Sequence, residues 1–217
     1  MLVSCWSVKG GVGTTVVASA LAISRARVAG DDVLLVDLDG DVPAALGVDA
    51  RGPGLADWFA AGADVPADGL ARLEEPVAPG LSVLPRGNGP LDAPGRADVL
   101  AGLLAGAGRR VVVDCGVVEP GRPASLALAA TATHSLLVTR ACYLALRRAQ
   151  ALPVRPSGVV CVSEPGRALS RLDLQRVIGA PVRAEVPVDP GIARLIDAGL
   201  LVSHFPRRLG RVLGRVA

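Results

Sequence analysis

A glycine-rich segment near the start of the chain, Lys9-Gly10-Gly11-Val12-Gly13-Thr14-Thr15, carries residue types that can hold a phosphate group. It follows a short apolar run and precedes a helical pattern. Glycines let backbone N–H groups approach an anion without a Cβ clash, and a helix N-terminus aims further donors at the same point. An ordinary tight turn between a strand and a helix needs one or two glycines but no lysine. We therefore predict a phosphate-binding loop.

Lys9 is the only lysine among the 23 Lys and Arg residues of the chain. The other basic positions are all arginine, so this one position has kept a different cation. A compact ammonium group on a flexible stem reaches a phosphate oxygen in a crowded pocket where a planar guanidinium does not fit. This composition favours Lys9 as a phosphate ligand.

Carboxylates follow two apolar runs that are predicted to be strands. Asp37, Asp39 and Asp41 end the first run, and Asp114 ends the second. Carboxylates placed this closely repel each other unless a cation or a ligand lies near them. Acids at strand ends are also common as solvated caps, so the residues alone leave both interpretations open.

Short β-type runs alternate with longer segments rich in Ala, Leu and Arg, which is typical of βα units on a parallel sheet. Several of the runs are apolar on both faces, so helices are expected on both sides of the sheet. The sequence predicts an α/β fold with three layers, in one domain over residues 1–217.

The predicted strands are residues 2–7, 33–37, 81–84, 111–114, 135–139, 158–163 and 182–186. The predicted helices are residues 15–29, 93–104, 125–130, 144–152, 169–178 and 192–198, from apolar recurrence every three to four residues. Residues 64–95, rich in Pro, Gly and Asp, are expected to form surface excursions around one strand.

The composition narrows the class of protein. The chain is 51% hydrophobic and 20% charged, so it can bury a core, and its net charge of +3 does not by itself indicate nucleic-acid binding. Cys5, Cys115, Cys142 and Cys161 lack the paired spacing of a zinc or iron–sulfur site and are predicted to be reduced core thiols. We find no export signal and no apolar run near the ~18 residues of a membrane span, so a cytoplasmic protein is expected.

Taken together, the loop and the carboxylates resemble the deviant Walker A ATPases of the MinD/ParA superfamily, whose loop pattern is KGGxGK[ST]. The resemblance implies a P-loop NTPase fold that binds ATP and Mg²⁺ and forms a homodimer with nucleotide sandwiched between its subunits. It implies catalytic roles for Lys9, which reaches the partner's phosphates, and for Asp39, which orients the attacking water. It implies that Thr15, Asp37 and Asp114 hold magnesium. The nucleotide-binding residues that it implies are Lys9, Gly10, Gly11, Val12, Gly13, Thr14, Thr15, Val16, Ser163 and Pro187.

The chain departs from the family pattern at two positions. Thr14 stands where the ordinary Walker lysine holds the β and γ phosphates. Loss of such a charge-assisted hydrogen bond costs about 1.5–3 kcal/mol, so we expect nucleotide binding with weak or absent hydrolysis. Ser163, within Val162-Ser163-Glu164, lies where the family has an asparagine that contacts adenine. Pro187 belongs to a segment that looks like the family's late IPxD motif.

Within the superfamily, the missing Walker lysine and the segment Asp37-Leu-Asp39-Gly-Asp41 are most similar to the CpaE/TadZ branch. That similarity implies a role in the spatial localisation or assembly of Tad/Flp-type pilus or related secretion machinery, or in septum-site determination, with pilus, secretion-system or polar proteins as partners. Two alternatives stay open: a ParA-like DNA-partitioning ATPase, and a pseudo-ATPase scaffold that no longer hydrolyses nucleotide.

The last residues, 205–217, are predicted to form a basic amphipathic helix. Its apolar positions share one helical face, and its arginines occupy the remainder. Docking of the apolar face on the body of the protein, peripheral contact with an anionic membrane, and nonspecific contact with DNA are the three interpretations. Membrane contact would place this otherwise cytoplasmic protein at a membrane or a cell pole. The apolar residues are Phe205, Leu209, Val212, Leu213 and Val216, and the arginines are Arg207, Arg208, Arg211 and Arg215.

Overall fold

The computed structural model describes residues 1–62, 68–214 and 216, without the side chains of residues 28 and 29. Its centre is one eight-stranded sheet. The strands are β1 (Leu2–Ser7), β2 (Val33–Asp37), β3 (Glu75–Ala78), β4 (Leu81–Leu84), β5 (Arg110–Val117), β6 (His134–Thr139), β7 (Gly158–Ser163) and β8 (Val182–Pro187). The helices are α1 (Thr14–Ala29), α2 (Val42–Leu46), α3 (Leu55–Ala60), α4 (Arg96–Ala105), α5 (Pro123–Thr131), α6 (Tyr143–Ala151), α7 (Arg171–Ile178), α8 (Pro190–Asp197) and α9 (Arg207–Leu213).

The strand order β3-β4-β2-β5-β1-β6-β7-β8 places the first strand in the middle of the sheet. All neighbouring pairs are parallel except β3 and β4. In register, Asp114 of β5 lies beside Cys5 of β1 on one side and beside Asp37 of β2 on the other. The glycine loop after β1 and the carboxylates that end β2 and β5 therefore meet at one edge of the sheet.

Helices cover both faces of the sheet, as the apolar runs predict. Within β2, Val33 and Leu35 join an apolar core with α1 and α9, whereas Leu34 and Val36 join a second core with α3, α4 and α5. Every residue of β2 is buried, because alternate side chains enter opposite cores. The predicted three-layer α/β fold is confirmed.

The structure contains two helices and one strand, α2, α3 and β3, that the sequence did not predict. The helices α2 and α3 have only five and six residues, too few to show a helical period. β3 is short and contains Pro76, which an edge strand tolerates because its N–H groups need no ladder partner. A two-residue turn with Gly80 at φ 72° joins it antiparallel to β4, so residues 75–84 contain two strands, not the one predicted. Residues 63–67 lie outside the described part of the chain.

The tail docks on the body of the protein. Leu209, Leu213 and Val216 are buried in the core that α1 shares, and the Ser24 hydroxyl of α1 donates a hydrogen bond of 3.3 Å to the carbonyl of Gly210. The helix covers Arg207–Leu213 and begins two residues later than predicted, with Pro206 at its N-cap. Arg215 lies outside the described residues. No helix in the described ranges combines the length and the apolar character that crossing a bilayer requires.

We expect Leu213→Ala to lower the free energy of unfolding by about 2–3 kcal/mol, since the side chain is fully buried between α9 and α1. Urea denaturation measures the change. Arg211→Ala, at an exposed position of the same helix, is the matched control and should have little effect. Equal effects of the two substitutions would show that the tail does not pack on the body in solution.

Candidate functional site

The loop after β1 has the backbone geometry of an anion cradle. Gly11 and Gly13 adopt left-handed conformations, with φ of 72° and 93°, which other residues rarely adopt. No side chain in the described part of the chain caps the N-terminus of α1, so the first backbone N–H groups of this helix are left for another acceptor. A Cβ added at Gly10, Gly11 or Gly13 would meet no atom within 4 Å. Free donors and open space coincide in this loop.

An open cavity of about 450 Å³ lies over this loop, between α2, α8 and the ends of β2 and β5. Three of its lining residues are aspartates, and none carries a positive charge. The lining residues are Ser7, Gly10, Gly11, Gly13, Thr14, Thr15, Val16, Asp39, Asp41, Ala44, Ala45, Gly116, Val117, Ile196 and Asp197.

The structure brings most, but not all, of the predicted nucleotide-binding residues to this cavity. Lys9 and Val12 line an adjoining cleft of about 70 Å³ on the other side of the loop, and the Lys9 side chain is exposed. Ser163 and Pro187 lie side by side in register at the ends of β7 and β8, outside the cavity lining. Pro187 faces a small space of about 30 Å³ between β8, α8 and α9.

Asp37 is fully buried at the end of β2 and shapes the loop that follows. One carboxylate oxygen accepts hydrogen bonds from the N–H groups of Asp39 and Gly40, at 2.9 and 2.7 Å, and the other accepts one from Val42 at 3.2 Å. Burial raises the pKa of Asp37 to about 6, although these three hydrogen bonds oppose the shift. Asp37 therefore fixes the path of the chain from β2 into α2.

Asp114 is fully buried at the centre of the site, and half of its carboxylate lacks a partner. Oδ1 accepts a hydrogen bond of 3.1 Å from the Gly116 N–H, whereas Oδ2 has no hydrogen-bond partner among the described residues. Burial raises the pKa of Asp114 to about 7, the charge of Asp37 adds to the rise, and the nearby Thr15 hydroxyl opposes it. A buried, unpartnered carboxylate oxygen fits a site completed by a cation.

Magnesium suits this donor set. Among the described residues, no group of three or more His, Cys, Asp or Glu side chains could hold a metal ion alone. Magnesium does not need such a group, because it keeps several waters and is held by one or two carboxylates together with substrate phosphates. The Oδ2 atom of Asp114 and the hydroxyl of Thr15 are oxygen ligands of the required kind.

Asp39 forms an ion pair that the sequence did not predict. Its Oδ1 accepts a hydrogen bond of 2.8 Å from the Nη1 atom of Arg122, at the N-terminus of α5. The same carboxylate lies against Gly116, at φ 59°, where any Cβ would collide with it. No sequence motif marks Arg122, because the pairing joins residues 83 positions apart.

A second unpredicted arginine supports the glycine loop from outside. Arg140 donates a hydrogen bond of 2.9 Å to the Gly11 carbonyl and pairs with Glu164, which also pairs with Arg167. From inside, the hydroxyl of Ser7 lies 3.1 Å from the Lys9 carbonyl. The loop is thus held on two sides before any ligand arrives.

One cysteine differs from its prediction as a core thiol. Cys142 is partly exposed at the start of α6, whereas Cys5, Cys115 and Cys161 are buried. Hydrogen bonds from the N–H groups of Ala145 and Leu144 lower the pKa of Cys142. Its position follows from its place before a helix instead of within a strand.

No family model and no curated protein matches the sequence. Solved structures match it over nearly its whole length. The septum site-determining protein MinD of Pyrococcus horikoshii, in complex with Mg-ADP, is 23% identical, with a TM-score of 0.79 over 99% of this chain and 93% of that chain. A ParA family ATPase of Chlorobium tepidum is 18% identical, with a TM-score of 0.74 over 98% of this chain and 95% of that chain. A Cyanothece McdA–ATP complex is 16% identical, with a TM-score of 0.74 over 99% and 95%. The chain therefore has the fold of the MinD/ParA family of P-loop ATPases.

Proposed function

We propose that this chain is a nucleotide-binding protein that uses ATP and Mg²⁺ to switch between a monomer and a homodimer. The observation that carries the proposal is the 450 Å³ cavity, where the uncapped N-terminus of α1, the glycine loop and the unpartnered Oδ2 of Asp114 meet. The MinD and McdA structures of the same fold contain Mg-ADP and ATP. Both ligands contain the phosphates that such a cavity suits.

The predicted phosphate, magnesium and base ligands keep their roles in this proposal. The N–H groups from Gly10 to Val16 hold the phosphates, and Thr15 with Asp114 holds magnesium. Asp37, whose oxygens already accept three backbone hydrogen bonds, acts on the magnesium shell by fixing the loop. Bound magnesium supplies positive charge that neutralises the phosphates. Ser163 and Pro187 are proposed to contact the base at the ends of β7 and β8.

Hydrolysis is proposed to be slow. Thr14 contributes no charge to the cavity, and Asp39 can orient a water only after its ion pair with Arg122 has opened. An ion-paired carboxylate is a weaker base than a free one. The nucleotide then acts as a ligand that stabilises the dimer, and the same two observations favour, as second candidate, a scaffold that binds nucleotide without hydrolysing it.

The proposed partners are Tad/Flp-type pilus, secretion-system or polar proteins, on the resemblance of the Asp37–Asp41 segment and the missing loop lysine to the CpaE/TadZ branch. Under this proposal the protein is cytoplasmic and localises at a cell pole or a membrane. Arg207, Arg208 and Arg211 remain exposed on the docked α9 and could contact anionic lipid or DNA without release of the helix.

The mass of the protein in solution tests the proposal. We expect the wild type to change from monomer to dimer when ATP and Mg²⁺ are added, measured by size-exclusion chromatography with light scattering. Lys9→Ala should remain monomeric at the same nucleotide concentration, because Lys9 is exposed beside the loop, where it can reach a partner's phosphates.

Arg51→Ala is the matched control, since it removes an exposed cation that pairs with Asp49, and it should dimerise like the wild type. A wild-type protein that stays monomeric with ATP and Mg²⁺ would leave the proposed dimer without support. Dimerisation of Lys9→Ala at wild-type nucleotide concentrations would remove the role of Lys9.

A further inference from the structure

The guanidinium of Arg122 bridges two loops at the edge of the phosphate cavity. Besides the Asp39 carboxylate, it donates hydrogen bonds to the Leu38 carbonyl at 2.9 Å and to the Val117 carbonyl at 3.2 Å. Asp39 and Val117 both line the cavity. Arg122 itself lines an adjoining cavity of about 190 Å³, so its guanidinium reaches the phosphate cavity through these two residues.

The described residues that line the cavity provide no cation of their own, so within the subunit magnesium alone would balance the charge of a bound nucleotide. The lining contains the carboxylates of Asp39, Asp41 and Asp197 and no basic side chain, and Thr14 is uncharged. A nucleotide would add several negative charges to this set. Lys9 projects into the adjoining cleft on the other side of the loop. Of the basic residues that the structure describes, Arg122 is the one paired with a carboxylate of the cavity.

Accordingly, we propose that Arg122 takes over the role of the missing loop lysine and holds the terminal phosphate of the bound nucleotide from within the same subunit. The guanidinium exchanges its carboxylate partner, Asp39, for phosphate oxygens, which it can bind through two parallel hydrogen bonds. The exchange frees the Asp39 carboxylate at the same moment. This inference rests on the proposed nucleotide binding and adds a phosphate ligand that no motif marks.

Equilibrium binding of Mg-ATP and Mg-ADP to the full chain, by isothermal titration calorimetry, tests the proposal. We expect Arg122→Ala and Arg122→Gln to weaken ATP binding about ten- to hundredfold, the effect of losing one charge-assisted contact. ADP binding should change less, because ADP lacks the terminal phosphate. Gln keeps hydrogen-bonding capacity toward the two carbonyls, so it separates loss of charge from loss of the bridge.

The decisive variant places a lysine at position 14 of the glycine loop in a protein that lacks Arg122. If Arg122 replaces the loop lysine, Thr14→Lys combined with Arg122→Gln should recover most of the lost ATP affinity. Arg86→Ala is the matched control: this arginine also bridges loop carbonyls, those of Gly87 and Gly89, and should leave ATP affinity unchanged. Thermal unfolding of each variant without nucleotide verifies that it is folded.

The outcomes separate the two proposals. If the folded wild type binds neither ATP nor ADP, the proposed function fails, and this inference fails with it. If the wild type binds ATP and both Arg122 variants bind it equally well, only this inference is overturned. A loss that Thr14→Lys does not repair would assign Arg122 a purely structural role and overturn the inference as well.

Discussion

At pH 8, without magnesium or nucleotide, Asp114→Asn should make the protein more stable by about 2 kcal/mol. The Asp114 carboxyl is fully buried with one unpartnered oxygen, so its ionised form destabilises the fold. Burial raises its pKa from 3.8 to about 7, and each pKa unit corresponds to about 1.4 kcal/mol. Part of this gain is lost, because the new amide also needs partners.

The stability of the wild type should fall as the pH rises, because of Asp114. Since the pKa of Asp114 is higher in the folded protein than in the unfolded chain, its stabilising contribution is fully present below about pH 4. That contribution is lost as the pH rises through about 7. The stability difference between variant and wild type should therefore grow across this interval, in urea denaturation measured at successive pH values. Asp37, with a pKa of about 6, also lowers the stability of both proteins as the pH rises, and this loss is complete at a lower pH than that from Asp114.

Asp173→Asn is the matched control, and its effect on stability at pH 8 is expected to have the opposite sign. Hydrogen bonds from Ser170 lower the pKa of Asp173, so its contribution is present at high pH and its removal should destabilise the protein at pH 8. Magnesium with ATP should stabilise the wild type and not Asp114→Asn. A pH-independent difference between wild type and Asp114→Asn would contradict the buried, cation-deficient carboxylate that we describe.

The second large effect is expected at the glycine loop. Gly10→Val should weaken ATP binding at least a hundredfold, or about 2.7 kcal/mol, and should hardly change the stability of the nucleotide-free protein. Gly10 does not have a positive φ, and an added Cβ meets no atom within 4 Å, so the substitution neither strains the backbone nor clashes. The new side chain instead fills space beside the donors that hold phosphate.

We would measure ATP affinity by calorimetry and the free energy of unfolding by urea denaturation, on the same samples. Gly102→Ala is the matched control: its added methyl also meets no atom, but it lies at an exposed position within α4. It should raise stability by up to about 1 kcal/mol and leave ATP binding unchanged. If Gly10→Val bound ATP as tightly as the wild type, the phosphates would have to lie elsewhere.

The sequence predicted the fold where the signal is local. The apolar runs of β1 and β2 and the long helical pattern of α1 lie within one or two residues of their predicted bounds. In contrast, α2, α3 and β3 depend on tertiary contacts. The N–H of Gly54, for example, donates to the Asp57 carboxylate at 2.7 Å and starts α3, which is only six residues long.

The same division applies to the candidate site. The glycine loop and the acids at the ends of β2 and β5 follow from residue types and order along the chain. Arg122 and Arg140 do not, because each is one of many arginines and acquires its role by meeting a distant loop. Nor could the sequence show that Asp37 has all its oxygens engaged while Asp114 keeps one free, since that difference depends on the backbone path after each strand.

The burial of α1 has a consequence for how a ligand would be received. Residues 17–24 are all buried, between the sheet on one side and the docked tail on the other. A helix held this firmly presents its terminal N–H groups in fixed directions, so little conformational entropy remains to be lost when an anion binds. The neighbouring loops after β2 and β5 are joined by a single guanidinium, that of Arg122. If Arg122 changes partner when phosphate binds, as proposed, the change reaches these two loops without disturbing the helix that holds the ligand.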